Sequence, residues 1–156
     1  MENMIDLTTL YTVSEIELVY KSKVKASQRP LVKDSRTTYE ILMKTWDEDK
    51  IEFVEEFKVL LLNTAHKVIG IYQVSQGGLT GTVADPRLII TAALKASASR
   101  IILSHNHPSG NYHPSRADMD LTNKIKNGAA FMDMMVLDHL IVTKEGYYSF
   151  ADEGVL

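Results

Sequence analysis

Residues 100–118 read RIILSHNHPSGNYHPSRAD. Arg100 to Ser104 is a short apolar run with the character of a buried strand. The segment HNHPSGNYHP that follows has the Pro, Gly and Asn content of a loop. Ser115 can then cap a helix expected to reach about Asn127. A strand passing through a polar loop into a helix is the repeating unit of α/β architecture. His105 and His107 stand two apart at the strand exit, where extended backbone points both side chains to one side. Asp118 comes eleven residues after His107, in the first turn of the helix, and the Pro108 to Pro114 loop is long enough to fold it back over the imidazoles. Two histidines and one carboxylate make a three-ligand set suited to catalytic zinc, with the fourth position open for water.

Outward from this stretch, helices and strands interleave. Ser14 to Val24 (SEIELVYKSKV) alternates apolar and polar residues, the period of a half-buried strand. Asp34 or Ser35 can cap a helix running toward Trp46. Phe53 to Asn63 and Lys67 to Val74 read as two strands of a hairpin around a turn at Asn63 to His66. Gly77, Gly78 and Gly81 mark a flexible connection. Asp85 before Pro86 then starts a helix reaching about Ala98. Met134 to Thr143 is strand-like, and YYSF at 147–150 returns as a last short strand. The expected fold is an α-β-α sandwich with a mixed central sheet, arranged as a single domain over 1–156. Its strand and helix at about 10–50 precede a metal-site core at about 53–150.

Composition narrows the function. The chain has 156 residues, 45% of them hydrophobic, which is enough for one well-buried core. A net charge of -3 gives no global attraction to nucleic acid. Lys21, Lys23, Lys25, Arg29 and Lys33 form a local basic stretch, read as a solvated strand edge in preference to a phosphate contact. There is no cysteine, which excludes disulfides, thiolate metal sites and a thiol nucleophile. The first 18 residues lack a basic stretch followed by an apolar run, and no segment approaches the roughly 20 apolar residues that span a bilayer. A cytoplasmic chain without membrane contact is expected.

Taken singly, the chemical features are ordinary. Ser115 and Asp118 have the spacing of a helix capping box, and two loop histidines are common on surfaces. His113 reads as a solvated loop residue and His66 as an exposed turn residue. Together, His105, His107, Ser115 and Asp118 match the JAMM signature of the JAB/MPN metalloprotease superfamily at every spacing: His-x-His, seven residues, Ser, two residues, Asp. HNHPSG at 105–110, PSRAD at 114–118 and LDHLIV at 137–142 resemble the RadC family more closely. Similar residues extend to GLTGTVADPR before and YYSF after.

The resemblance implies the superfamily fold, which is similar to that of the cytidine deaminases. Those use Cys ligands, so nucleotide deamination is excluded here. It implies that His105, His107 and Asp118 hold Zn2+ and that Ser115 hydrogen-bonds the oxyanion or bound water. It also asks for an upstream Glu. VEEFKVLLLN offers Glu55 or Glu56, and the Glu-x-Phe pattern of RadC-like chains selects Glu55 as general base. Asp138, His139 and Ser149 recur in such patterns around the site. Longer RadC proteins add an N-terminal helix-hairpin-helix module whose tight turn needs glycine. The first glycine here is Gly70, so a short form without that module is expected, and the family's DNA-repair label is not carried over. The expected activity is hydrolysis of an amide bond in a protein or peptide substrate by a JAMM-type metallohydrolase. The alternatives are a nucleic-acid-associated factor whose metal site acts on an unknown partner, and an idle interaction module. Nothing in the sequence fixes the oligomeric state.

Overall fold

The computed structural model describes residues 13–78 and 83–156. Its strands are β1 (Glu56–Leu62), β2 (Val68–Gln76), β3 (Arg100–Asn106), β4 (Met135–Val142) and β5 (Tyr147–Ser149), and its helices are α1 (Ser35–Met43), α2 (Pro86–Lys95) and α3 (Arg116–Ala130). The strands form one mixed sheet in the order β2-β1-β3-β4-β5. β1 runs antiparallel to both β2 and β3, whereas β3 and β4 are parallel. Parallel neighbours need a crossover connection, and α3 supplies it.

Alternation along the strands sorts side chains onto two apolar faces. Phe57, Val59 and Leu61 of β1, with Ile101 and Leu103 of β3, pack against Ile89 and Ala93 of α2 and Ile125 and Ala129 of α3. Leu60 and Leu62 of β1, Ile102 of β3, and Leu140 and Val142 of β4 turn the other way, against Leu42 of α1 and against Trp46 and Ile51. The sheet is therefore covered on both sides, as an α-β-α sandwich.

The helix starts follow their caps. The Asp34 side chain accepts from Thr37 N, the Asp85 side chain accepts from Arg87 N with Pro86 next, and Ser115 opens α3. α1 stops at Met43, short of Trp46, where Thr45 N–H and hydroxyl both donate to Leu42 O and turn the chain. Trp46 is nonetheless core, 5% exposed. α3 runs past Asn127 to Ala130, because Ala129 still has a buried place against the sheet. In the hairpin turn, Asn63 Oδ1 accepts from Ala65 N and Lys67 N, and His66 adopts φ 59° half-buried, not exposed as expected.

The strand expected over Ser14 to Val24 is not formed. Residues 13–25 carry no strand, and every one of them is exposed, with Ile16 and Leu18 at 84%. Alternation specifies an extended chain but supplies no partner, and here the pattern meets neither a strand edge nor a core. The Tyr20 hydroxyl donates to Ile69 O on β2, and backbone pairing with that end of the sheet begins only at Leu31, opposite Lys67. The glycine connection falls partly on residues 79–82, so Gly81 and the middle of GLTGTVADPR lie outside the described residues, as do residues 1–12. Among the described residues, no helix is long and apolar enough to cross a membrane.

Candidate metal centre

β3 runs farther than its apolar run suggested and takes His105 and Asn106 into the sheet. His105 lies opposite Phe57 in the β1–β3 register, and the two rings stack with centroids 5.7 Å apart. That places His105 on the face shared with α3. His107 follows just past the strand. A turn closed by Gly110 N–H donating to His107 O, with Gly110 at φ 82°, swings the loop so that Asn111 O lies 2.5 Å from His107 Nδ1. A positive φ there is readily adopted by glycine.

Asp118 comes from the first turn of α3, where one carboxylate both caps the helix and faces the two imidazoles. Its Oδ2 accepts from Ser115 N at 2.7 Å while Ser115 Oγ accepts from Asp118 N at 3.1 Å, a complete capping box. The same carboxylate faces the imidazoles, with Oδ1 3.3 Å from His105 Nε2 and Oδ2 3.7 Å from His107 Nε2. The two Nε2 atoms are 3.0 Å apart. Two donors bound tetrahedrally to one zinc at about 2.1 Å stand roughly 3.4 Å from each other. The separations between the two imidazole atoms and between His105 Nε2 and Asp118 Oδ1 lie close to that figure, and one ligand atom from each residue falls within 4.8 Å of the others, so the donor set fits a common ion. His105, His107 and Asp118 form the metal-capable cluster found among the described residues.

The charges in this cluster depend on one another. Burial works to raise the Asp118 pKa, but the adjacent imidazoles of His105 and His107 outweigh it and hold the carboxyl far below the usual carboxylate range. The hydrogen bond with Asp118 raises the His107 pKa against the opposing effect of burial, and Asn111 O adds to the rise.

The two candidate glutamates separate by strand parity. Glu56 is 4% exposed and turns to the α1 side, where its carboxylate lies 3.2 Å from Lys58 Nζ. Lys58 also donates to Thr45 O and sits over the Trp46 ring. Glu55 precedes β1, but the ladder continues through it, with Gly77 N–H donating to Glu55 O at 2.8 Å. It thus alternates onto the face of Phe57 and His105, half-buried, and its charge contributes to the raised His107 pKa. Ser115 is exposed, with its Oγ bonded to the Asp118 backbone N–H. A polar cavity of about 300 Å³ opens beside His107, walled by Glu52, Pro108, Ser109, Thr143 and Lys144 among others.

Of the other residues singled out, His139 reaches the centre, with Nε2 2.8 Å from His105 Nδ1. Burial drives its pKa well below the usual imidazole value. Asp138 turns away, accepting from Ser149 Oγ, Ala151 N and His139 N, so it and Ser149 fasten β5 to β4. Burial raises the Asp138 pKa. His113 is exposed in the loop near Tyr112 and Tyr148.

Two contributors were missed by sequence reasoning. Asn106, between the two histidines, faces the other way and is 0% exposed. Its Nδ2 donates to Ile51 O and Val54 O and its Oδ1 accepts from Glu56 N, clamping the segment that carries Glu55. Strand alternation across His-x-His was the available signal. Thr122, one helical turn after Asp118, lies 2.6 Å from His139 Nδ1, and its i+4 spacing was the signal there.

The chain is 50% identical over 101 residues to a UPF0758 protein of Flavobacterium johnsoniae, a match spanning 65% of this chain and 44% of that protein. It is 48% identical over 103 residues to a UPF0758 protein of Porphyromonas gingivalis, spanning 65% and 45% respectively. With a UPF0758 protein of Chlorobium chlorochromatii the identity is 44% over 110 residues, spanning 70% and 48%. The chain thus spans less than half the length of these curated relatives. The profile described as RadC-like JAB domain matches residues 32–155. A sandwich carrying two histidines and an aspartate at one strand end, matched over nearly its whole described length by that profile, belongs to the RadC-like JAB domain family.

Proposed function

We propose that this chain is a zinc-dependent hydrolase of amide bonds, a peptidase or isopeptidase acting on a protein or peptide. The observation that carries the reading is the convergence of His105 Nε2 and His107 Nε2, 3.0 Å apart, with the Asp118 carboxylate, whose Oδ1 and Oδ2 lie 3.3 and 3.7 Å from them, and with no fourth protein ligand in the cluster among the described residues. Three protein ligands with one position left over is the pattern of catalytic zinc, whereas structural sites are closed by four. Family membership adds that the superfamily is metallohydrolase-like.

His105, His107 and Asp118 would hold the zinc, which would supply a Lewis acid for a carbonyl oxygen and would lower the pKa of water toward about 7. The protein's own groups do the rest. Glu55, on the metal face, takes the proton from the attacking water and passes it to the leaving nitrogen. The Ser115 hydroxyl, whose oxygen accepts from Asp118 N, keeps its hydrogen to donate to the oxyanion of the tetrahedral state. The cavity beside His107 gives the substrate chain room next to the reacting carbonyl.

The test loads the protein with zinc, counts the metal by atomic emission and assays hydrolysis of a fluorogenic peptide library. A single equivalent of zinc is expected, lost in Asp118→Ala. Glu55→Gln should retain zinc and lose turnover by about 10²- to 10⁴-fold. Wild-type turnover in Glu55→Gln, or zinc retained in full by Asp118→Ala, would overturn the proposal.

A further inference from the structure

Behind His105 lie two buried polar side chains that are outside the ligand set. Thr122 Oγ1 lies 2.6 Å from Asp118 O and 2.6 Å from His139 Nδ1, and His139 Nε2 lies 2.8 Å from His105 Nδ1. A hydroxyl has one hydrogen, and a carbonyl oxygen can only accept. The contact with Asp118 O therefore takes the Thr122 hydrogen and leaves the hydroxyl oxygen to accept from His139 Nδ1–H. His139 is 0% exposed and, among the described residues, its ring is hydrogen-bonded only to the Thr122 hydroxyl and the His105 imidazole, so a second proton on the ring would be a buried charge without a carboxylate partner. Its Nε2 thus carries a lone pair, which accepts from His105 Nδ1–H. A neutral His105 protonated at Nδ1 has its lone pair on Nε2, the atom that faces His107 and Asp118.

Run in the opposite direction, the chain of hydrogen bonds fails. Thr122 would donate to His139 Nδ1, His139 Nε2–H to His105 Nδ1, and the remaining proton would sit on His105 Nε2, where it blocks an ion. The Asp118 carbonyl decides between the two directions. His107 is set by a shorter device of the same kind, since Asn111 O can only accept and so holds the proton on His107 Nδ1. We propose that Thr122 and His139 are positioning residues that lock His105 in its Nδ1–H tautomer and so aim its Nε2 lone pair at the metal. The proposal rests on the metal-centre reading above and adds the groups that prepare it before the ion arrives. A residue of the metal-bearing helix and a residue of the neighbouring strand thereby act on an atom that neither touches.

The test uses the full chain labelled with 15N, freed of metal at pH 8, and long-range 1H–15N spectra of the imidazoles, alongside zinc affinity measured by competition with a chelator. In the wild-type protein His105 should show a protonated Nδ1 and an unprotonated Nε2. Thr122→Val keeps the shape of the side chain and removes its oxygen. It should mix the His105 tautomers and weaken zinc binding by about 10- to 100-fold. Thr122→Ser should restore both readouts, which a purely structural role for the side chain would not require. A wild-type spectrum with the proton on His105 Nε2 would overturn the proposal, and it decides the matter even if Thr122→Val does not fold. Wild-type tautomer and affinity in a folded Thr122→Val would overturn it as well. A wild-type chain that takes up no zinc would instead refute the metal centre itself.

Discussion

Replacing Asn106 by alanine removes a side chain that no ion touches and yet should cost the protein much of its stability. Asn106 satisfies two carbonyls, Ile51 O at 2.7 Å and Val54 O at 2.8 Å, and one amide, Glu56 N at 2.7 Å. All three bonds are buried. Leaving a buried polar group without a partner costs about 1–3 kcal/mol. Water entering the vacated space offsets part of that for three groups so close together, so the expected loss is about 3–5 kcal/mol. Against a typical domain stability of about 5–15 kcal/mol this is a large fraction. At about 2–4 °C per kcal/mol for a chain of this length, the thermal midpoint should fall by roughly 6–20 °C. Urea unfolding followed by fluorescence reads the same quantity, because Trp46 is the only tryptophan and is buried against the cluster that Ile51 joins. With slopes of about 1–3 kcal/mol/M, the midpoint should move by about 1–5 M at an unchanged slope. Zinc should still bind the folded variant, since the ligands belong to β3, the following loop and α3. A loss below about 1 kcal/mol would show that the 51–56 segment does not depend on this clamp, and the account of how Glu55 is held would fall with it.

Glu56→Gln should behave oppositely to Glu55→Gln. It leaves Lys58 buried beside a neutral amide and costs about 3–5 kcal/mol in unfolding experiments, while turnover of the folded protein is preserved; equal stability to wild type would contradict the buried pairing. The effect of zinc on stability should grow with pH. The raised His107 pKa stabilises the zinc-free chain fully below about pH 6.5, and that contribution is lost as pH rises through the folded value. The depressed Asp118 pKa contributes above about pH 3.9 and fails only in stronger acid. Between about pH 4 and 6.5 the proton on His107 therefore competes with zinc. The zinc-induced rise in thermal midpoint should be small at pH 5.5 and large at pH 8, with metal released below about pH 5. Increments that do not change with pH would refute the linkage.

The convergence of His105, His107 and Asp118 was legible because they lie close in sequence, on one strand end and the helix that follows it, where spacing alone sets direction. Ser115 and Asp118 looked like a choice between a cap and a ligand. The carboxylate has two oxygens, and the geometry uses them for both purposes. The sandwich was legible from its alternating periods. The strand at Ser14 to Val24 was misread because a period of two is a property of the segment, whereas pairing is a property of its neighbour. The clamp at Asn106 was hidden by the histidines on either side, although its parity pointed to the opposite face. The contacts of His139 with Thr122 and His105 cross 17 and 34 residues of chain, and no local pattern encodes a meeting at that separation.

The crossover from Arg100 to Val142 has a consequence for how the molecule comes apart. All three metal donors, together with Thr122 and His139, belong to that one continuous piece, whereas Glu55 arrives at the head of the β1–β2 hairpin. Partial opening in folded proteins follows such supersecondary pieces. On the proposed function, fraying at the entrance to the hairpin would withdraw the Glu55 carboxylate and leave a bound ion in place, giving a loaded but inactive form. Slowing of amide exchange on zinc addition should accordingly be concentrated in 100–142, with the residues around Glu55 exchanging much as before. Retention of the metal and transfer of the proton would then be two separately lost capacities of the proposed enzyme, built from different parts of one sheet.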